Sequence, residues 1–175
     1  IRSDVPNAFA LPGGRTYYLS SLIQASRTPD EFAGVLAHEL GHVYHRHGMQ
    51  TLISTSTTGL LVGFILGDLT GLSVAGAVGA SLIDNRFSRQ AEEEADAFAG
   101  KTAQRLGFSP AGLVDLLDRV AKDDAFSKAL ALFASHPLTA ERRAALEALD
   151  TKDAGDVPAF SAADWQAIRD MCPPP

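Results

Sequence analysis

Cysteine is all but missing from this chain: one residue, Cys172, in 175. A lone thiol excludes an internal disulfide framework and any metal site built on thiolates. An excess of positive charge is missing too. Fifteen lysines and arginines stand against 21 acidic residues, giving a net charge of −6 and a pI near 5.3. No nucleic-acid partner is expected, because such proteins carry a basic face. The apolar run from Gly59 to Gly67 is cut short by Asp68, whereas a membrane span needs about 20 apolar residues. The chain opens at Ile1 with neither Met nor a signal peptide, which predicts a processed piece without its native N-terminal segments. What is present is globular: 46% apolar and 21% charged residues, enough for one core and few for two. Residues 1–175 are therefore expected to form a single domain.

Local signals predict a mainly α fold with one small β element. "NAFALPGGRTYYLS" reads as a hairpin turning at Pro12-Gly13-Gly14, where the glycines accept positive φ. "TPDEFAGVLAHELGHVYHRHG" is punctuated as a helix. Thr28 is its N-cap, Pro29 its first residue, Glu31 the capping-box partner, and Gly48 its end. Further helices are expected to end at Gly107, to run from Ser109-Pro110 to about Lys122, to start after Thr139, and to start with a Ser161/Asp164 box.

The chemistry concentrates in "AHELGHVYHRHG". His38 and His42 lie four apart, so both imidazoles leave one face of the helix. Two nitrogens so placed reach one ion at about 2.0–2.1 Å. Glu39 sits where a carboxylate touches a metal-bound water without ligating, the H-E-x-x-H arrangement. The alternative is a solvated helix face, but Ala37, Leu40, Gly41 and Val43 imply burial, and unpaired buried histidines are costly. His45 falls within about 60° of the pair; it is read as supporting the site, with a third-ligand role open. His47 is read as facing the last helix carbonyls. A catalytic site needs a third protein ligand, and "AEEEAD" offers one. Glu92 and Asp96 share a face, so Glu92 would ligate while Asp96 accepts the free N–H of a ligand histidine. Glu93 and Glu94 read as a solvated acidic helix start.

These motifs, with "SHPLTAER" downstream, resemble the zinc metallopeptidases of family 48. That family includes HtpX, the CAAX prenyl endopeptidase, the mitochondrial Oma-type protease and periplasmic outer-membrane quality-control proteases. The resemblance implies a zincin-type (gluzincin) domain with one zinc per chain on His38, His42 and Glu92, and with Glu39 as base. It implies that Asp96 is a supporting residue on the third-ligand helix, and that His136, before Pro137, and Arg142 face the metal and steady the oxyanion, with Arg143 as the lesser alternative. It also implies a substrate-pairing strand, for which Arg15, Thr16, Tyr17 and Tyr18 are the candidates.

The expected activity is hydrolysis of unfolded or extended protein substrates in the bacterial cell envelope, periplasmic or membrane-associated. A zinc-bound chaperone or assembly factor is the rival; a silent structural site is disfavoured because it has no use for Glu39. Residues 51–83 form a glycine-rich apolar insert. Gly59, Gly63, Gly67 and Gly71 would line one helix face, leaving two readings: a soluble helical pair or lid over the cleft, or membrane contact.

Overall fold

The computed structural model describes residues 1–67, 71, 75–76, 87–122, 136–150 and 158–171. Asp68, most of the insert beyond it, and Cys172 lie outside the described residues. The elements are β1 (Ala8–Leu11), β2 (Arg15–Tyr18), α1 (Ser20–Ala25), α2 (Pro29–Tyr44), α3 (His47–Leu66), α4 (Arg89–Leu106), α5 (Ala111–Lys122), α6 (Ala140–Ala148) and α7 (Ala162–Met171). Strands β1 and β2 form an antiparallel sheet in register Ala8↔Tyr18 to Leu11↔Arg15. Its turn uses the two glycines at φ 96° and 85°, and Phe9 stacks on Tyr17 across it.

Helix α2 is the organising element, packed against α4, α5 and the sheet. The Thr28 hydroxyl accepts from the Glu31 amide at its N-terminus. The Glu31 carboxylate does not close the expected box on Thr28. It accepts from the Arg27 amide and takes both arms of Arg119 at 2.6 Å, because a charged partner on α5 outcompetes a neutral amide. Asp30 accepts from the amides of Ser109 and Ala159, tying both downstream segments to the start of α2. Small residues on α2 allow close approach. A Cβ on Gly34 would lie 2.9 Å from Leu113 Cβ, and one on Gly41 2.9 Å from Ala95 Cα. The main core gathers Ala8, Leu22, Val35, Leu113, Leu116, Leu117 and Leu146, each large side chain contributing about 1.5–3 kcal/mol by burial.

Helix α2 ends at Tyr44, earlier than the Gly48 stop expected from sequence, and Arg46 takes a left-handed φ of 58° before α3 begins. The glycine stripe is broken as well. Gly59 and Gly63 are buried on α3, but Gly67 ends that helix at φ 75° and Gly71 is also left-handed at 73°, so the four do not share one helix face. No described helix is long and apolar enough to cross a membrane.

Candidate metal centre

Helix periodicity brings His38 and His42 out of α2 one turn apart, toward the first turns of α4, where Ser88 caps the helix that carries Glu92. His136 arrives from the segment before α6. All four residues are buried, and one donor atom from each lies within 4.8 Å of the others. His38 Nε2 and His42 Nε2 are 3.1 Å apart, and His38 Nε2 is 3.2 Å from His136 Nδ1. Glu92 Oε1 is 3.0 Å from His136 Nδ1 and 3.4 Å from His42 Nε2. Ligands at about 2.0–2.1 Å around a tetrahedral ion sit about 3.4 Å from one another, so the His38, His42 and Glu92 atoms are spaced as three ligands of one divalent transition-metal ion would be, with His136 Nδ1 close against them. The donor chemistry agrees: imidazoles and one carboxylate, with no thiolate.

Beside this cluster Glu39 is fully buried, and neither of its carboxylate oxygens has a hydrogen-bond partner among the described residues. His136 Nε2 lies 3.4 Å from Glu39 Oε1. Burial pushes the Glu39 carboxyl above its ordinary value, and the charge of Glu92 adds to this while His136 and His38 oppose it. Burial would likewise raise Glu92, but hydrogen bonds from His136, His38 and His42 outweigh it and hold Glu92 well below the carboxylate range. Burial drives His42 down to about 3, against a hydrogen bond to Glu92. Burial would lower His38 too, but the carboxylates of Asp96 and Glu92 beside it overcome burial and hold it up to about 10.

The expected supporting residues divide. Asp96 Oδ1 is 3.0 Å from His38 Nδ1. Arg142, itself buried, grips Asp96 with Nε at 2.6 Å and Nη2 at 2.8 Å. Its Nη1 donates to Pro137 O at 2.7 Å and lies 2.9 Å from Glu92 Oε2. The guanidinium is thus spent on neighbouring protein groups instead of aiming at open space. Arg143 faces Asp118 on α5, away from the cluster. His45, expected beside the ligand pair, is about one-third exposed at the end of α2 and 3.7 Å from Glu94.

Sequence reasoning placed His47 at a helix end and Glu94 in solvent. Instead His47 is buried, with Nδ1 2.9 Å from His42 Nδ1 and Nε2 3.1 Å from Glu94 Oε2. The left-handed turn at Arg46 that brings it there has no signature in residue type, because non-glycine residues seldom adopt it. Phe87, also unforeseen, stacks on His42 with centroids 4.0 Å apart.

The hairpin lies alongside. Its residues Ala10, Leu11 and Gly14, with His42, Val43 and Arg46, border a largely apolar cavity of about 380 Å³. At the Tyr18 end the outer edge of β2 is occupied, since the Ile1 amine donates to Tyr18 O and Ile1 O accepts from Ser20 N. Arg15, Thr16 and Tyr17 remain as the accessible stretch. The Tyr18 phenol is turned inward; burial, reinforced by the Glu39 charge, lifts it to about 12.

A mostly helical domain with a two-stranded sheet, and with two histidines of an H-E-x-x-H helix meeting a glutamate from a second helix, is a zincin-type metallopeptidase domain. The chain belongs to peptidase family M48, whose model matches residues 1–150. It is 34% identical to metalloprotease LoiP of Escherichia coli over 142 residues, covering 78% of this chain and 55% of the relative. It is 31% identical to the mitochondrial metalloendopeptidase OMA1 of Schizosaccharomyces pombe over 147 residues, 81% of this chain and 43% of the relative. It is 29% identical to the beta-barrel assembly-enhancing protease of E. coli over 156 residues, 82% and 32% respectively. The chain spans about half or less of the length of these relatives.

Proposed function

We propose that the chain is a zinc-dependent endopeptidase acting on unfolded or extended protein substrates. The observation that carries this reading is the convergence of His38, His42 and Glu92 beside the buried, unpartnered carboxylate of Glu39. His38, His42 and Glu92 hold one zinc per chain, which supplies a Lewis acid and lowers the pKa of water toward about 7. Glu39 takes a proton from the attacking water and returns it to the leaving amine. His136, 3.4 Å from Glu39, donates a hydrogen bond where the oxyanion develops. Arg142 acts one step back, as a fixed charge that keeps Glu92 and Asp96 ionised and in place.

An extended substrate adds to the accessible edge at Arg15, Thr16 and Tyr17, with one apolar side chain in the cavity beside His42. The named relatives include a beta-barrel assembly-enhancing protease and a mitochondrial metalloendopeptidase; from them we infer a bacterial cell-envelope location, periplasmic or membrane-associated, and a role in protein quality control there. The exposed Leu60, Leu61, Phe64 and Ile65 of α3 support contact between the insert and a membrane surface.

The test is hydrolysis of a quenched fluorescent peptide with and without chelator. Glu39→Gln is expected to keep its zinc and lose about 10²–10⁴-fold in kcat. Wild-type rates in that variant would contradict the peptidase reading. Full function of Glu39→Gln in an outer-membrane protein assembly assay would favour the chaperone alternative.

A further inference from the structure

We propose that His47 and Glu94 form an outer arm of the metal centre that orients His42, setting carboxylate, imidazole, imidazole and ion in one chain of contacts. This rests on the reading of His42 as a ligand. His42 turns Nε2 inward, 3.1 Å from His38 Nε2 and 3.4 Å from Glu92 Oε1. Its other nitrogen, Nδ1, faces His47 Nδ1 at 2.9 Å, and His47 Nε2 in turn faces Glu94 Oε2 at 3.1 Å. Proton counting then gives one consistent arrangement. A ligand His42 carries its proton on Nδ1 and donates it to His47 Nδ1. A neutral His47 therefore carries its own proton on Nε2 and donates to Glu94.

Ligand histidines are generally held by such a partner on the nitrogen away from the metal. His38 has one in Asp96, 3.0 Å from its Nδ1 and gripped by Arg142. His42 has no carboxylate that close to its Nδ1 among the described contacts; it reaches one through His47. The backbone is shaped for this. The left-handed Arg46 folds α3 back so that its first residue, His47, stacks under α2. Gly48 then fits against the hairpin, where a Cβ would come within 3.3 Å of Pro12. Gln90 Nε2 donates to the second oxygen of Glu94 at 2.9 Å, steadying the carboxylate.

His45, His47 and Glu94 also bring three donor atoms within 4.8 Å of one another, the spacing of a second ion site. The same proton count opposes that alternative. An ion on His47 Nε2 would leave the His47 proton on Nδ1, pointing at the proton of His42.

The experiment is zinc competition against a chromophoric chelator at neutral pH on the whole chain, with visible spectra of the cobalt(II)-loaded protein. His47→Phe is expected to lose about 10–100-fold in zinc affinity. His47→Asn, which keeps an acceptor near the Nδ1 position but cannot reach Glu94, should fall between it and wild type. Glu94→Gln, a change at the partly exposed end of the arm, should weaken zinc several-fold and shift the cobalt bands, with the metal-free unfolding midpoint unchanged. Wild-type affinity and an unaltered cobalt spectrum in both Glu94→Gln and His47→Asn would overturn the arm. So would two zinc equivalents in wild type with the second lost in Glu94→Gln, since the trio would then be an ion site. A wild-type chain that binds no zinc would remove the metal-centre reading itself, and the arm with it.

Discussion

Arg142 sits in the first turn of α6, where the helix dipole disfavours a cation, and its side chain is almost wholly buried. Two carboxylates justify the position. Asp96 takes two of its donors, and Glu92 lies 2.9 Å from a third nitrogen. A charge so paired is costly to orphan, so Arg142→Met, which leaves both carboxylates buried without their cation, should lower stability by about 3–5 kcal/mol. The pH dependence follows in sign. Burial tends to raise Asp96, but Arg142 and His38 hold its folded value below its ordinary one. Its contribution is therefore present above the unfolded value of about 3.9 and is lost as pH falls through the folded value. Arg142→Met lifts that folded value, so acid unfolding followed by circular dichroism should begin at higher pH than in wild type. An unchanged acid midpoint would mean that the guanidinium does not control Asp96.

Elements meet at the centre because α2 and α4 approach closely at Gly41. A Cβ there would stand 2.9 Å from Ala95 Cα and 3.0 Å from its carbonyl oxygen, both backbone atoms with nowhere to move. Gly41→Ala should push the helices apart, costing about 1–3 kcal/mol of stability. Because His38 and His42 are on one helix and Glu92 is on the other, it should also weaken zinc binding, read by thermal unfolding and chelator competition together. Zinc affinity equal to wild type would show that the centre tolerates a shift between α2 and α4. The start of α2 and the end of α4 were legible: Thr28, Pro29 and Gly107 act as punctuation through local hydrogen bonds and φ preferences, which are properties of single residues. The break between α2 and α3 was not legible. It depends on Arg46 adopting a left-handed conformation to suit contacts that His47 makes with Glu94, 47 positions away in sequence. The glycine stripe failed for a similar reason, since a spacing of four implies one face only while the helix continues, and here it stops at Leu66.

Across the whole molecule, the residues that sequence could offer as a metal set were those whose spacing is set by a single helix. His38, Glu39 and His42 are one turn of α2, and Glu92 and Asp96 one turn of α4. What spacing could not give is which way each group's second nitrogen or oxygen turns. Asp96 was expected on a ligand histidine and meets His38, while Arg142 closes on Asp96 between elements distant in sequence; His47 rather than His45 meets His42 across the break between α2 and α3. The proposed chemistry requires three side chains from two helices to hold one ion. Elemental analysis of purified wild type and Glu92→Gln, alongside peptide hydrolysis, tests this most directly. The expected result is about one zinc per chain in wild type, lost together with activity in Glu92→Gln. Full zinc retained by Glu92→Gln would contradict the account and move the third ligand to His136, the remaining member of the buried cluster.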